Sequence, residues 1–89
     1  KHLFRYENIV LYWRGKKDRE VDFVVRTGDS ECIPIEVKYQ RTISSRDTFG
    51  IIDFMKASRA SNGIILSKET LEIRRSITIL PIWLFLLLV

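Results

Sequence analysis

Two short apolar segments joined by a turn-like stretch constrain the fold of this chain most strongly. The segment EVDFVV begins at Glu20, the segment CIPIEVK ends at Lys38, and the two are separated by RTGDSE. Alternate residues of a strand point to opposite faces, so Asp22 shares a face with Glu20, and Glu36 shares a face with Lys38. If the intervening stretch is a hairpin turn, the strands pair and Asp22, Glu36 and Lys38 converge at one end of a sheet. Apolar positions then take the opposite face: Val21, Phe23, Val25, Ile33, Ile35 and Val37.

These three charged residues have the chemistry of a divalent-metal site. Mg²⁺ takes oxygen ligands and is commonly held by one or two carboxylates with water and substrate phosphate, so Asp22 and Glu36 suit Mg²⁺ or Mn²⁺. Lys38 could orient an attacking water or stabilise the charge that grows on a phosphate. The alternative is an exposed sheet face with ordinary salt bridges, which contribute little stability.

The spacing resembles that of the PD-(D/E)xK nuclease-like superfamily, which carries an Asp on the second strand of its core and Glu-any-Lys on the third. In this sequence those residues are Asp22, and Glu36 with Lys38. A wider resemblance covers nearly the whole chain and is to a C-terminal domain of unknown function that follows an AAA-type ATPase domain in many archaeal and bacterial proteins. It is carried by Tyr12-Trp13-Arg14, Arg19 to Phe23, Ile33 to Tyr39, Gly63 to Ser67 and Leu80 to Phe85.

This resemblance implies a restriction-endonuclease-like core in which Asp22, Glu36 and Lys38 hold the catalytic positions. Many superfamily nucleases also use a Glu from a helix before the first strand, and Glu7 alone could take that part here. Glu20 is a further candidate metal ligand. The resemblance also implies an ATPase domain ahead of this chain, which begins with lysine, so we expect a C-terminal fragment of a longer protein. The four glycines are widely scattered and form no phosphate-binding loop, so ATP binding is expected outside this chain.

Basic residues add a candidate nucleic-acid surface, with DNA as the expected partner. The formal net charge is +4, which permits a polyanionic partner. Such side chains could follow a phosphate backbone beside the metal site, although lysine-rich turns are also ordinary exposed surface. The candidates lie in the predicted first hairpin loop and just beyond the third strand: Arg14, Lys16, Lys17, Arg19, Arg41 and Arg46.

Hydrophobic periodicity predicts an α/β (α+β) fold with a small mixed sheet. The strands Ile9 to Arg14, Glu20 to Arg26 and Ile33 to Tyr39 are rich in β-branched and aromatic residues and should form an antiparallel meander. Ser44 or Ser45 is the expected N-cap of a helix that ends near Ser58. Its predicted sheet-facing stripe is Phe49, Ile52 and Met55, widened by Ile51 and Phe54.

The remainder of the chain is expected to complete the sheet. Asn62-Gly63 is predicted to supply the positive φ that ends the helix, and Ile64 to Leu66 a fourth strand beside the third. Ser67 to Arg75 is predicted to be a turn or short helix, followed by a fifth strand from Ile77 to Leu80. Three strands, a helix and a further strand are the order implied by the nuclease-like resemblance.

Size and composition place the chain among small folded domains. Its 89 residues, 46% hydrophobic and 29% charged, indicate one folded soluble domain spanning 1–89. Cys32 is the only cysteine, so no intrachain disulfide can form and a reducing, cytoplasmic location is expected. The single histidine, His2, argues against an ordinary zinc site.

The apolar end of the chain, residues 81–89, is a candidate contact surface. It is too short to span a bilayer core of about 30 Å, which takes roughly 20 helical residues. We expect it to fold into the core with some partner contact, to the ATPase domain or in a homo-oligomer. Trp83 and Phe85 are the expected anchors.

Two functions follow from these patterns. The first is a metal-dependent nuclease, with Asp22 and Glu36 as ligands and Lys38 assisting the attacking water. The second is a catalytically inactive nuclease-fold module that docks to its ATPase, to a like subunit or to nucleic acid. A solvent-open concave site would favour the first, and occlusion by Trp13, Tyr39 or the apolar tail the second.

Overall fold

A mixed β-sheet organises the chain in the computed structural model, which describes residues 9–10, 13–14, 20–26 and 31–88, and the side chains of 21–26 and 31–88. A 3₁₀ turn over Arg46–Thr48 leads directly into the first helix. The strands are β1 (Ile9–Val10), β2 (Trp13–Arg14), β3 (Glu20–Val21), β4 (Phe23–Arg26), β5 (Cys32–Val37), β6 (Gly63–Ser67), β7 (Glu72–Arg74) and β8 (Ile77–Pro81). The helices are α1 (Phe49–Ser58) and α2 (Ile82–Leu88).

The described strands form one six-stranded sheet, in the order β1-β4-β5-β6-β8-β7, and a separate pair, β2-β3. Strands β1, β4 and β5 pair antiparallel, which confirms the predicted meander. Strand β6 lies parallel to β5, as predicted for a fourth strand beside the third, and β8 lies parallel to β6. The protein is therefore a small mixed α/β domain.

The second predicted strand is divided at Asp22, and the first contributes β1 and β2, which pair with different strands. Asp22 forms a bend between β3 and β4, and its Oδ2 accepts a hydrogen bond of 2.7 Å from the Val37 N–H. Val21, before the bend, packs with Val24, after it, and with Phe54 of α1. The prediction that Val21 shares a face with Phe23 and Val25 was therefore wrong, because the bend interrupts the strict alternation of a strand.

The start of α1 differs from the predicted serine cap. Ser45 occupies the N-cap position of the 3₁₀ turn, but its side chain makes no capping hydrogen bond. Instead the Ser44 N–H donates to Asp47 Oδ2 at 2.8 Å, and the Ser44 hydroxyl donates to the same oxygen at 3.0 Å. In a capping box the acid three residues after the cap accepts a hydrogen bond from the N–H of the cap residue, and Asp47 does so for Ser44. The Asp47 carboxylate therefore organises the turn.

The end of α1 also differs from the prediction, although Ser58 is its last residue. Arg59 adopts the left-handed conformation that ends the helix, with φ 60°. Gly63 is instead the buried first residue of β6, where a Cβ would lie 2.9 Å from Ile51 Cδ1. A side chain there would press on Ile51 and Met55, because the helix approaches the strand closely. The segment predicted as a turn or short helix contains β7, which pairs antiparallel with β8.

The core has a layer on each face of the sheet. On one face α1 covers a cluster of buried isoleucines: Ile43, Ile51, Ile65, Ile77 and Ile79. On the other face Ile82 and Phe85 of α2 pack against a second cluster: Val25, Ile35, Leu66 and Leu80. Each large aliphatic side chain buried in this way stabilises the fold by about 1.5–3 kcal/mol relative to exposure. The prediction that the α1 stripe packs on the sheet holds for Ile51 and Phe54, whereas Phe49 is exposed.

No helix in the described ranges is long and apolar enough to cross a membrane. Helix α2 has seven residues and follows β8 without a break.

Candidate functional site

Glu36 is the centre of the candidate site, near the end of β5. It pairs in register with Ile65, a member of the α1-side cluster, so its side chain lies on the face that α1 covers. Only 6% of the residue is exposed. Lys38 follows directly after the strand, and its Nζ lies 2.9 Å from Glu36 Oε2. Its backbone N–H donates to the Leu66 carbonyl at 2.8 Å, which fixes the lysine beside the end of β6.

Asp22 reaches the same place from the bend before β4. Its Oδ2 accepts the hydrogen bond from Val37, the residue between Glu36 and Lys38. Antiparallel pairing of β4 with β5 sets this approach, since Phe23 stands opposite Ile35. The structure thus brings together Asp22, Glu36 and Lys38, the residues that the sequence singled out.

The electrostatics of the three groups are coupled. Burial raises the pKa of Glu36 above its ordinary value, and the Asp22 charge raises it further, while the Lys38 ammonium opposes both. The hydrogen bond to Glu36 raises the pKa of Lys38. A carboxylate in these surroundings gains from a nearby positive charge, because desolvation and a like charge both disfavour its ionised form.

One oxygen of Glu36 has no hydrogen-bond partner in the described part of the chain. Oε2 is paired with Lys38, but Oε1 is buried and no group of residues 21–26 or 31–88 bonds to it. A buried charged oxygen without a partner is costly, and native structures rarely leave one so. Oε1 is therefore the atom from which an added cation or donor would gain most.

Asp47 is a residue of this neighbourhood that the sequence analysis missed. Its charge raises the pKa values of both Glu36 and Lys38. The Ser44 N–H, the Ser44 hydroxyl and the Gln40 amide all donate to its Oδ2, and the backbone hydrogen bond from Ser44 is the largest cause of its lowered pKa. The signal in the sequence was the Ser-x-x-Asp spacing of a capping box, in which the acid occupies the third position.

The other predicted ligands and basic residues lie mostly outside the described part. Glu20 and Arg14 stand opposite each other in the β2-β3 pair, and nothing is described of their side chains. Arg41 is exposed near Glu69, at 3.7 Å, and Arg46 is exposed in the 3₁₀ turn. Outside the described residues lie Glu7, Lys16, Lys17 and Arg19.

Tyr39 and the apolar tail, two of the three groups that could have covered the site, do not cover it. Tyr39 is 62% exposed, with Lys68 Nζ 5.4 Å from the centre of its ring. The apolar tail lies on the opposite face of the sheet, where Phe85 packs in the α2-side cluster and Trp83 is 57% exposed. The Trp13 side chain lies outside the described part. Neither Tyr39 nor the tail therefore closes the charged end of β5.

The donor set fits a hard divalent cation that keeps part of its water shell. Asp22 and Glu36 supply two carboxylates, which matches the one or two by which Mg²⁺ is commonly held. Among the described residues no group of three His, Cys, Asp or Glu could hold a metal ion. Glu20 and Glu7, the other two candidate ligands, have side chains outside that search. These two carboxylates do not resemble the zinc and calcium sites in which the protein supplies four or more ligands.

Comparison with known proteins shows the family. The profile of a family described as a domain of unknown function, DUF4143, matches residues 1–85. The chain belongs to this family. No curated protein matches the chain, and no solved structure matches it.

Proposed function

We propose that this DUF4143 domain is a divalent-metal-dependent, nuclease-like domain that acts on phosphodiester bonds of nucleic acid and is attached to an ATPase domain. One observation carries the proposal. The buried carboxylate of Glu36 has an oxygen without a described partner and lies beside both Asp22 and Lys38. A divalent cation would stabilise this arrangement by coordinating the unpaired oxygen. In a purely structural salt bridge, both oxygens of Glu36 would be expected to have hydrogen-bond partners.

The order of elements supports a restriction-endonuclease-like core. Three antiparallel strands, the helix α1 and the parallel strand β6 follow one another as the resemblance implies. Asp22 lies in the bend just before β4, the second strand of this antiparallel set, Glu36 lies near the end of β5, and Lys38 follows it directly. These places are close to the second-strand and third-strand positions that the resemblance implies.

Each residue has a separate task in this proposal. Asp22 and Glu36 would hold Mg²⁺ or Mn²⁺, and the ion when bound would polarise a phosphate oxygen as a Lewis acid. The Val37 N–H holds Asp22 in place. Glu36 positions the Lys38 ammonium at 2.9 Å, from where it can donate to a phosphate oxygen or orient water.

Nearby cations supply the contacts to a nucleic-acid backbone. Arg41 is exposed three residues beyond Lys38, and Lys68 lies over the exposed Tyr39 ring. Side chains of this kind contribute affinity without sequence preference, and their contribution weakens as salt concentration rises. We therefore include DNA as the proposed partner.

Cleavage assays test the proposal directly. The chain is incubated with duplex, branched and single-stranded DNA in Mg²⁺ or Mn²⁺, alongside Glu36→Gln and Asp22→Asn. We expect cleavage of at least one substrate and a loss of about 10²-fold or more in each variant, since both ligands are needed. Glu31→Gln is the matched control, because Glu31 is exposed one residue before β5. Absence of metal-dependent cleavage by the folded chain would contradict catalysis by this domain.

The alternative is a catalytically inactive module that docks to the ATPase domain or to a second copy. The apolar outer surface of α2 favours it, since Trp83, Leu86 and Leu87 are all exposed. Exposed apolar patches of this kind often mark contact sites. Sedimentation of the wild type and of Leu86→Ser with Leu87→Ser tests self-association. A dimer in the wild type that dissociates in the double variant would support this alternative in its homo-oligomeric form.

A further inference from the structure

A groove separate from the proposed metal site lies between α1 and the β7-β8 turn. It encloses about 440 Å³. Its walls come from the first two turns of α1 and from the hairpin turn at Arg75 and Ser76, and neither Asp22, Glu36 nor Lys38 lines it. The volume falls within the range of roughly 300–1,000 Å³ that small-molecule sites occupy.

The lining of the groove is largely apolar. Ile77 is buried in the isoleucine cluster, and Ile52 and Met55 are half-buried against that cluster. Phe49 is exposed at the side of the groove. These four side chains offer a surface for an aryl or alkyl group, which would gain from removal of water at both surfaces.

The β7-β8 hairpin is held by polar contacts to the segment before α1, within β7 and to β6. The Arg74 guanidinium donates to the Ile43 carbonyl at 2.6 Å and pairs with Glu72 at 2.6 Å. The Gly63 N–H donates to the Ser76 carbonyl at 3.0 Å. The groove is therefore preformed, which reduces the ordering cost of binding a ligand.

The charge at the rim is positive. Arg74 and Arg75 both line the groove, and no carboxylate lines it. Arg74 is partly neutralised by its pair with Glu72. Arg75 is exposed in a left-handed turn, with φ 54°, and no carboxylate of the described ranges lies within 4.0 Å of its guanidinium. A guanidinium so placed offers paired donors that match the geometry of a carboxylate.

We propose that this groove binds a small amphiphilic acid, a molecule with an aryl or alkyl body and one carboxylate. The apolar body lies against Ile52, Met55 and Ile77, and the carboxylate pairs with Arg75. Charge complementarity selects an acid over an amine of the same shape. This site is independent of the proposed nuclease function, because the two share none of these residues.

The test uses two probes of the same shape and opposite charge, 4-phenylbutyrate and 4-phenylbutylamine. Each is titrated into the isotope-labelled chain, and methyl and amide NMR signals are followed. We expect saturable shifts at Ile52, Met55, Ile77 and Arg75 with the acid, and binding of the amine at least about tenfold weaker. Equal binding of the two probes would overturn the charge argument.

Two arginine variants make the test specific. Arg75→Glu should weaken binding of the acid about tenfold or more. Arg59→Glu should change it less than about twofold, because Arg59 adopts the same left-handed conformation but does not line the groove. Phe49→Ala should weaken binding several-fold through lost apolar contact. No saturable shift in the folded wild type, or unchanged binding by Arg75→Glu, would overturn the proposal. Binding of an acidic peptide with no binding of the small acid would also overturn it.

Discussion

The two faces of the sheet differ in chemistry, although one strand, β5, contributes to both. On the α1 face Glu36 is buried beside Asp22 and Lys38, close to a densely packed isoleucine cluster. On the α2 face the exposed and buried positions are alike apolar, and α2 leaves Trp83 and Leu86 in contact with solvent. Helix α1 packs over the buried charge, whereas the shorter helix α2 leaves part of its own apolar surface exposed.

This difference separates two physical costs. Burying a carboxylate raises its pKa and leaves Glu36 Oε1 without a described partner, so the α1 face carries an electrostatic cost. Exposing Leu and Trp on α2 carries a hydrophobic cost. Each cost would be relieved by a different ligand: a cation on the first face and an apolar surface on the second.

The largest expected effect is a cavity beneath α1. Ile65 has no exposed surface and lies in the isoleucine cluster, so Ile65→Ala should lower the free energy of unfolding by about 2–5 kcal/mol. Leu86 is 63% exposed on the other face, so Leu86→Ala should change the free energy of unfolding by less than about 0.5 kcal/mol. Urea denaturation of both variants measures the difference. Similar losses of unfolding free energy in Ile65→Ala and Leu86→Ala would contradict the exposure of Leu86 on the α2 face.

A second variant overfills the same layer. An alanine Cβ at position 63 would lie 2.9 Å from Ile51 Cδ1 and 3.1 Å from Met55 Sδ, so Gly63→Ala should cost about 1–3 kcal/mol. Thermal unfolding monitored by circular dichroism gives the value. Combining it with Ile51→Val should recover part of the loss, because the shorter side chain removes the nearest atom. A stable single variant would mean that α1 can move away from β6 at little cost.

The buried carboxylate predicts a dependence on pH. The pKa of Glu36 is raised above its ordinary 4.5, chiefly by burial, so its favourable contribution is fully present below pH 4.5. That contribution is lost as pH rises through the folded-state pKa. Glu36→Gln should therefore gain stability relative to the wild type between acidic and neutral pH. Denaturant titrations of both proteins from pH 4 to pH 7.5 measure the difference, and a constant difference would be inconsistent with a desolvated Glu36.

A loss smaller than those at Ile65 and Gly63 is expected at Asp47, which is half-buried and organises the turn before α1. Asp47→Ala removes the acceptor of the Ser44 N–H and should cost about 1 kcal/mol at neutral pH. The pKa of Asp47 is lowered from its ordinary 3.8, so this contribution is present above pH 3.8 and fades as pH falls through the folded-state pKa. The two stability curves should converge in acid.

The sequence predicted the sheet better than its interruptions. Alternation and β-branched residues located β5 and β6, and the spacing of Asp22, Glu36 and Lys38 predicted their approach. It did not reveal the bend at Asp22, because that bend depends on a hydrogen bond to Val37, fifteen positions away.

Local sequence signals were also misleading where tertiary contacts decide the structure. Asn62-Gly63 is a common helix-ending pair, yet Gly63 lies in β6 close to Ile51, and Arg59 ends the helix. The burial of Glu36 could not be read from its own strand, since it depends on the helix that packs over it. The basic rim at Arg74 and Arg75 likewise became visible only once β7 was placed beside β8.

A titration of Mn²⁺ into the isotope-labelled chain, read from paramagnetic broadening of its amide signals, tests the metal site at Asp22 and Glu36 most directly. We expect saturable broadening centred on Asp22, Val37 and Lys38, lost in Glu36→Gln and retained in Glu31→Gln. Broadening that is absent from the folded wild type, or that survives in Glu36→Gln, would contradict a metal site at this end of β5.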